Sequence, residues 1–187
     1  MILIEHKKHH ERLRSFGVFN PSMLMLGNQE DRLNLGKELF ENAWPYKTLD
    51  PDNGDFKFDL TSKEVIPFFN TFSTVYNLGT LEHIWDVHKA YVNASKMVRL
   101  GGYFVGHSPV GCYENHGIHI SDWKFILNFF QINGFEIICN WLSDKNGNDI
   151  NQVTRGGGNI ILWFACKKTK IMEFQAPQQI FLNGIKI

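Results

Sequence analysis

The chain has 187 residues, and its 19 basic and 19 acidic side chains give a formal net charge of zero. This length is typical of a single domain, here residues 1–187, with a core large enough for three layers. The balanced charge gives no long-range attraction for nucleic acid, and no segment has the length and hydrophobicity of a membrane span or a signal peptide. The three cysteines, Cys112, Cys139 and Cys166, form no C-x-x-C motif, so we expect a reducing, cytoplasmic setting.

The first segment, residues 1–20, opens with a short apolar run and then becomes basic. His6, His9 and His10 stand at helical spacing among lysines and arginines. They could form a phosphate- or metal-binding patch, or they could lie on a solvated helix face. Charge runs are usually solvated, so we favour the second interpretation.

The first predicted core strand is Ser22–Leu26, and it leads into Gly27, Asn28 and Gln29. Residues 30–43 carry acidic side chains first and then leucines, which predicts a helix. A strand followed by a glycine turn and a helix is typical of a nucleotide-binding α/β domain, because the backbone of the turn can approach a ligand closely.

The second predicted strand, Tyr46–Leu49, ends on Asp50. An acidic residue about twenty positions after a Rossmann-type turn is placed to bind ribose hydroxyls. The run Asp-Pro-Asp-Asn-Gly at 50–54 is also a strong turn sequence. Both interpretations can hold together, and we favour the ribose role.

A short alternating strand is predicted at Phe56–Leu60. Too few residues separate it from Asp50 for a helical crossover, so the helix between strands 2 and 3 is expected to be missing. Asp59 could cap the turn that follows at 61–64.

Residues 74–105 predict a strand–helix–strand unit. A β-branched and aromatic run at 74–76 precedes an amphipathic helix, for which Gly101 and Gly102 provide the end, and the next strand is 103–105. Such a unit forms a right-handed crossover between parallel strands. Residues 77–83 would then face the crevice at the carboxyl edge of the sheet.

After Val105 the sequence predicts a loop that contains glycines and histidines, then a helix that begins at Ser121 or Asp122. Two strands follow, Phe135–Leu142 and Asn159–Lys167, whose connection allows an antiparallel pair. Residues 169–187 form a C-terminal tail.

The segments N-L-G-T-L-E-H at 77–83 and R-L-G-G-Y-F-V at 99–105 resemble class I S-adenosylmethionine-dependent methyltransferases, in particular a small, reduced subgroup. The resemblance spans residues 50–135. It implies an α/β, Rossmann-like, seven-stranded and mostly parallel sheet with an antiparallel last strand and helices on both faces. It would make the strands of the 74–105 unit the fourth and fifth of that sheet.

The resemblance also implies S-adenosylmethionine as cofactor. The residues that match the family's binding positions are Gly27, Asn28, Gln29, Asp50, Asp59, Leu60, Asn77, Leu78, Gly79 and Glu82. Asn28 and Gln29 depart from the family pattern, in which small residues are usual. For Asp59 and Leu60, contact with adenine and a purely structural turn remain equally open.

Three histidines of the predicted loop, His107, His116 and His119, are the candidates for a general base, because methyl transfer to a hydroxyl or amine removes a proton near neutral pH. A metal site that includes His83 or Glu114 is the alternative. No carboxylate or cysteine cluster joins the histidines at a recognisable spacing, so we predict a general base and no metal.

The predicted function is therefore methyl transfer from S-adenosylmethionine to a small-molecule acceptor, for which a sugar-related metabolite is one candidate. The alternative is a catalytically inactive methyltransferase fold that serves in binding or assembly, which the altered glycine turn favours. A nicotinamide-linked oxidoreductase is disfavoured because the first turn lacks the spaced glycines. The chain has neither the nucleophile elbow of hydrolases nor a P-loop.

Overall fold

A computed structural model describes residues 6–28, 40, 45–63, 66–111, 116–151 and 158–177. Within these ranges the elements are α1 (Lys7–Ser15), β1 (Met23–Leu26), β2 (Lys47–Leu49), β3 (Phe72–Leu78), a 3₁₀ turn (Leu81–His83), α2 (Val87–Met97), β4 (Val98–Val110), α3 (Trp123–Ile132), β5 (Phe135–Asp144), β6 (Asp149–Ile150) and β7 (Ile160–Lys168). The helix that we predict after Gln29 lies outside the described residues, apart from Phe40.

The described strands form one seven-stranded sheet with the order β2-β1-β3-β4-β7-β5-β6. The pairs β1–β2, β1–β3 and β3–β4 are parallel, whereas β7 is antiparallel to both β4 and β5. A helix crossover joins β3 to β4, as parallel neighbours require. The predicted Rossmann-like sheet with an antiparallel last strand is confirmed.

The predicted strand at 56–60 is wrong. Phe56 makes only an isolated parallel bridge to Leu49, and no strand continues beyond it. Residues 50–55 form a turn, so the predicted absence of a helix between β2 and this position is confirmed. The 74–105 unit consequently provides the third and fourth strands of the chain rather than the fourth and fifth.

Helices cover both faces of the sheet. On one face α2 and α3 pack Ala90, Ala94 and Phe130 against sheet residues such as Val75 and Phe104. On the other face, α1 places Leu13 in a second apolar cluster with Met23, Met25, Tyr76 and Trp163. Successive side chains of a strand point to opposite faces of the sheet. The neighbouring residues Val75 and Tyr76 of β3 therefore belong to different apolar clusters.

The interpretation of α1 as a solvated helix is wrong for its histidines. His9 and His10 are each only 1% exposed, and His6 is buried as well. With Leu13 they form a stripe at positions 6, 9, 10 and 13, which is the spacing of a buried helix face. The lysines and arginines between them occupy the outer side.

The helix of the 74–105 unit is shorter than predicted, and the strand after it is longer. α2 begins at Val87, where the Asp86 side chain accepts a hydrogen bond from the Lys89 amide, and it ends at Met97. Arg99 therefore lies in β4 and not in the last helical turn. The buried ammonium of Lys168 donates to the carbonyl oxygens of Ser95 and Val98, which satisfies the helix end.

The helix α3 follows the predicted position, and the structure describes residues 169–177 of the tail. Asp122 is the N-cap, and its carboxylate accepts from the amides of Lys124 and Phe125. The tail packs against the other end of this helix, where Asn133 and Gln175 exchange two hydrogen bonds. No helix within the described ranges has both the length and the apolar character that crossing a membrane requires.

Candidate functional site

The strand register brings four chain segments to one edge of the sheet. Leu26 pairs with both Leu49 and Asn77, and Leu78 pairs with His107. The residues that come next, Gly27, Asp50 and Gly79, therefore lie together at the carboxyl ends of parallel strands. We call this region the crevice; it is where open α/β sheets bind ligands.

Gly27 begins the crevice on β1. Its φ of +77° is a left-handed conformation that favours glycine. A Cβ on Gly27 would lie 2.6 Å from the hydroxyl oxygen of Thr80, and that hydroxyl donates a 2.7 Å hydrogen bond to the Leu26 carbonyl. Gly27 is thus required for the close approach of the β1 and β3 turns.

Asp50 lies beside this turn and accepts three backbone amides. The amides of Asp52 and Asn53 donate to Oδ1, and the amide of Asn28 donates to Oδ2. Burial alone raises the pKa of Asp50, but the hydrogen bonds from Asn53, Asp52 and Asn28 outweigh it and hold the pKa below its ordinary value. The turn interpretation is confirmed. The carboxylate is ionised at neutral pH, and three donors do not exhaust its roughly four acceptor positions.

Asn28, which departs from the family pattern, joins two loops. Its side-chain amide donates to the Asn53 carbonyl at 2.7 Å, so it links the β1 turn to the Asp50 turn. Gln29 lies outside the described residues.

Asn77 organises the turn after β3 and is fully buried. Its Oδ1 accepts from the amides of Thr80 and Leu81, each at 3.1 Å, and its Nδ2 donates to Ser108 Oγ on β4. These bonds place the side chain toward α2. The Leu78 side chain is buried on the opposite face. The two buried side chains therefore lie on opposite faces of the sheet.

Gly79 has a φ of +70° and lies close to both Glu82 and His107. A Cβ on Gly79 would lie 3.2 Å from Glu82 Oε1 and 3.6 Å from His107 Cε1. His107 belongs to β4 rather than to the predicted loop, and it pairs across the sheet with Trp163, on which its ring stacks at 4.7 Å. The ring of His6 from α1 lies 6.0 Å from that of His107.

Glu82 and His116 face each other. The Glu82 side chain is 4% exposed, and its Oε1 lies 3.7 Å from His116 Nε2. His83 adds a second imidazole, whose centroid is 5.1 Å from that of His116. These three residues bring their ligand atoms within 4.8 Å of one another.

The third candidate base, His119, contacts the backbone of Trp85. Its Nε2 lies 2.6 Å from the carbonyl oxygen of Trp85, and its backbone amide donates to the Glu82 carbonyl. The structure therefore brings His116 to Glu82 and His107 close to Gly79, while His119 holds the loop in place.

Asp59 and Leu60 have structural contacts. The exposed Asp59 carboxylate accepts from the amide and the hydroxyl of Thr61, as the capping interpretation predicts. The Leu60 side chain is buried in the core, and its carbonyl accepts from Asn93.

The sequence interpretation missed one contact in the crevice and one buried histidine. Thr80 was placed among residues 77–83 at the crevice, but its contact with Gly27 was not predicted, because that contact depends on the pairing of β1 with β3. His6 was assigned to a solvated face. The stripe that it forms with Leu13 was the available signal for its burial.

The fold was compared with known proteins. No family model matches the sequence, and no curated protein sequence matches it. Solved structures do match. A 1,6-didemethyltoxoflavin-N1-methyltransferase of Burkholderia thailandensis, solved with 1,6-didemethyltoxoflavin and S-adenosylhomocysteine, has a TM-score of 0.59 and 10% identity over 89% of this chain and 79% of its own.

Two further structures show how broad this similarity is. An S-adenosylmethionine-dependent methyltransferase of Mesorhizobium loti has a TM-score of 0.60 and 13% identity, over 88% of this chain and 98% of its own. The [4+2]-cyclase SpnF has a TM-score of 0.60 and 11% identity, over 86% of this chain and 80% of its own. The chain has the fold of class I S-adenosylmethionine-dependent methyltransferases.

In this methyltransferase fold the sheet order reverses between β1 and β3, since β2 lies on one side of β1 and β4 lies beyond β3. Ligands of open α/β sheets bind at such a switch point. Gly27, on β1, and Thr80, after β3, meet there.

Proposed function

We propose that this protein transfers the methyl group of S-adenosylmethionine to a small-molecule acceptor, with a sugar-related metabolite as one candidate class. The observation that carries the proposal is the crevice itself. Two glycines with positive φ, Gly27 and Gly79, and one ionised carboxylate, Asp50, meet at the switch point of the sheet.

The residues fit the proposed cofactor. Asp50 has acceptor capacity left for a ribose hydroxyl, and it is only partly buried. Gly27 has no side chain, so its backbone lies close to Thr80 at the switch point, where a methionine moiety could bind. When bound, the cofactor would supply an electrophilic methyl group on a sulfonium.

The chain's own contribution would be positioning and proton removal. Methyl transfer depends on the alignment of nucleophile, methyl carbon and leaving sulfur, so binding geometry provides most of the rate. His116 is the base that we favour, because the Glu82 carboxylate at 3.7 Å stabilises an imidazolium. His107 is the second candidate, since its ring lies close to Gly79 in the crevice.

A second candidate function is a non-catalytic methyltransferase fold that binds a ligand or a partner. The observation in its favour is the link from Asn28 to Asn53, which uses a polar side chain to tie two loops where small residues are usual. The cyclase among the similar structures is a protein of this fold whose described reaction is not methyl transfer.

A turnover assay separates the two. The full chain is incubated with S-adenosylmethionine and a panel of sugars, nucleotide sugars and small aromatic hydroxyl compounds, and S-adenosylhomocysteine is measured. The proposal predicts acceptor-dependent formation of S-adenosylhomocysteine that falls in His116→Ala. Cofactor binding with no turnover on any acceptor would favour the binding function, and the absence of both would contradict the proposal.

A further inference from the structure

The carboxylate of Glu82 and the imidazoles of His83 and His116 surround a common point beside Gly79. Their ligand atoms all lie within 4.8 Å of one another. We propose that these three side chains bind a divalent first-row transition-metal ion. The ion site would open toward the crevice and would hold an oxygen atom of the acceptor. With the ion bound, His116 would be a ligand and could not accept a proton; the ion would instead lower the pKa of the acceptor hydroxyl, and His107, the second candidate base, would accept its proton.

The distances are close to those of a metal site. With bonds of about 2.0–2.2 Å, two ligand atoms of a tetrahedral ion lie about 3.4 Å apart. Glu82 Oε1 and His116 Nε2 are 3.7 Å apart already. His83 needs the larger adjustment, and its exposed side chain can rotate to make it.

The backbone holds the loop at 116–119 against the 3₁₀ turn that contains Glu82 and His83. The amides of Ile118 and His119 both donate to the Glu82 carbonyl, at 2.8 and 3.0 Å. Gly117 has a φ of +75°, and a Cβ there would lie 3.0 Å from the same carbonyl oxygen. The hydrogen bond of the His119 ring with Trp85 fastens the other end of the loop. His116 is therefore brought to Glu82 by main-chain contacts, which exist before any ion binds.

The donor set selects the class of metal. Two imidazoles and one carboxylate suit Zn²⁺, Fe²⁺, Co²⁺ or Ni²⁺, and they leave coordination positions open. Mg²⁺ prefers oxygen ligands and keeps several waters, so it fits this set poorly.

The proposed ion could bind the acceptor, because one side of the site is open to solvent. The His116 side chain is 42% exposed, whereas that of Glu82 is 4% exposed, so an acceptor would approach past the imidazoles. An acceptor with a hydroxyl next to a second oxygen could occupy two open positions. This link to the acceptor rests on the proposed function, whereas metal binding does not.

An ion pair between Glu82 and His116 would also explain why these two side chains lie close together. A substitution of His83 distinguishes the ion pair from the metal site. An ion pair does not need His83, but a three-ligand site does. His88 provides a matched control, because it is another exposed histidine a few residues away and lies outside the cluster.

The test uses the full chain without a histidine tag. The protein is first treated with a chelator to remove metal ions. Co²⁺ is then added stepwise, and the visible absorption of the bound ion gives its affinity. Displacement of the bound Co²⁺ by Zn²⁺ gives the affinity for Zn²⁺. We expect one equivalent per chain for the wild type and for His88→Ala. Binding should weaken by about tenfold or more in His83→Ala, in His116→Ala and in the nearly isosteric Glu82→Gln. Circular dichroism verifies that each variant is folded.

Three results would overturn the metal site: Co²⁺ binding in His83→Ala that equals the wild type, no stoichiometric binding by the wild type, or displacement of Co²⁺ by an equal concentration of Mg²⁺. Titration with S-adenosylhomocysteine is independent of these outcomes. If S-adenosylhomocysteine does not bind, the proposed function is wrong and the metal site stands. If Co²⁺ does not bind, the metal site is wrong and the proposed function stands.

Discussion

The hydroxyl of Thr80 lies 2.6 Å from the position that a Cβ of Gly27 would occupy. This contact joins the turn after β1 to the turn after β3, at the point where the order of the sheet reverses. The crevice is therefore sensitive to one methyl group at Gly27.

Gly27→Ala tests this contact. The substitution places a methyl group against Thr80 and also strains a residue with positive φ, so we expect lower stability and weaker binding of S-adenosylmethionine. Gly17→Ala is the matched control, because Gly17 has a φ of +66° but nothing within 4 Å of its Cβ position. The control should lose about 1–2 kcal/mol of stability and keep its affinity. Urea unfolding and calorimetry measure the two quantities; equal affinities in both variants would contradict the assigned role of Gly27.

Asp50→Asn removes a negative charge that we assign to a ribose hydroxyl. A hydrogen bond to a charged group is worth about 1.5–3 kcal/mol, so affinity for S-adenosylhomocysteine should fall about 10- to 100-fold. Asp144→Asn is the control, because the Asp144 carboxylate also accepts backbone amides, those of Asn146 and Asn148, in the turn after β5, which is distant from β1 and β2 in the strand order. If both variants bind as the wild type does, the ribose role is wrong.

The same two aspartates predict an acid dependence of stability. Burial alone raises the pKa of each, and hydrogen bonds outweigh it, so both pKa values lie below the ordinary 3.8. The folded state then binds fewer protons than the unfolded state as the pH falls through this range. Their stabilisation is complete above the ordinary pKa and is lost as the pH falls through the lower folded pKa. Each Asn variant should show a shallower loss of stability in acid than the wild type.

His9 predicts a second pH dependence, near neutrality. The Trp141 indole N–H donates to His9 Nδ1, and His9 Nε2 lies 2.8 Å from the Gly147 carbonyl, so Nε2 carries the proton of a neutral ring. Burial lowers the pKa of His9 below 6.5, although Asp149 acts in the opposite direction. The unfolded state then binds the proton first, so stability should fall as the pH drops below 6.5, by at most about 1.4 kcal/mol per pH unit.

His9→Gln should reduce this slope, and His88→Gln, at an exposed position of α2, should retain it. Urea unfolding at a series of pH values between about 5 and 8 gives both slopes. A slope in His9→Gln as steep as that of the wild type would show that other groups cause the acid sensitivity.

Asn77→Ala tests the turn that contains Gly79 and Thr80. The substitution leaves the buried amides of Thr80 and Leu81 without their acceptor, so we expect a loss of about 2–4 kcal/mol together with weaker cofactor binding. Asn93→Ala is the comparison, because Asn93 is equally buried but donates one bond, to the Leu60 carbonyl. It should cost about 1 kcal/mol and leave cofactor affinity unchanged. Similar losses in both variants would contradict a special role of Asn77.

Local signals explain which parts of this structure could be predicted. The cap at Asp122 and the turn at Asp50 depend on bonds within a few residues, and the sequence pattern predicts both. The absence of a helix after β2 follows from the small number of residues between Asp50 and Phe56, which is too few for a helical crossover. The parallel pairing of β3 with β4 then follows from the crossover helix that joins them.

Other features depend on contacts between distant residues. The histidines of α1 are buried because Trp141 and Trp163, far along the chain, cover them. The Gly101–Gly102 pair looks like a helix end, but it lies inside β4, since Lys168 already caps the helix carbonyls. The contact of His116 with Glu82 requires the loop to dock on the 3₁₀ turn, which no local pattern indicates.

Calorimetric titration of the full chain with S-adenosylhomocysteine tests the central claim most directly. The account predicts binding with one site per chain, which weakens in Gly27→Ala and in Asp50→Asn but not in Gly17→Ala. No heat of binding at millimolar ligand, from a chain that is folded by circular dichroism, would contradict it.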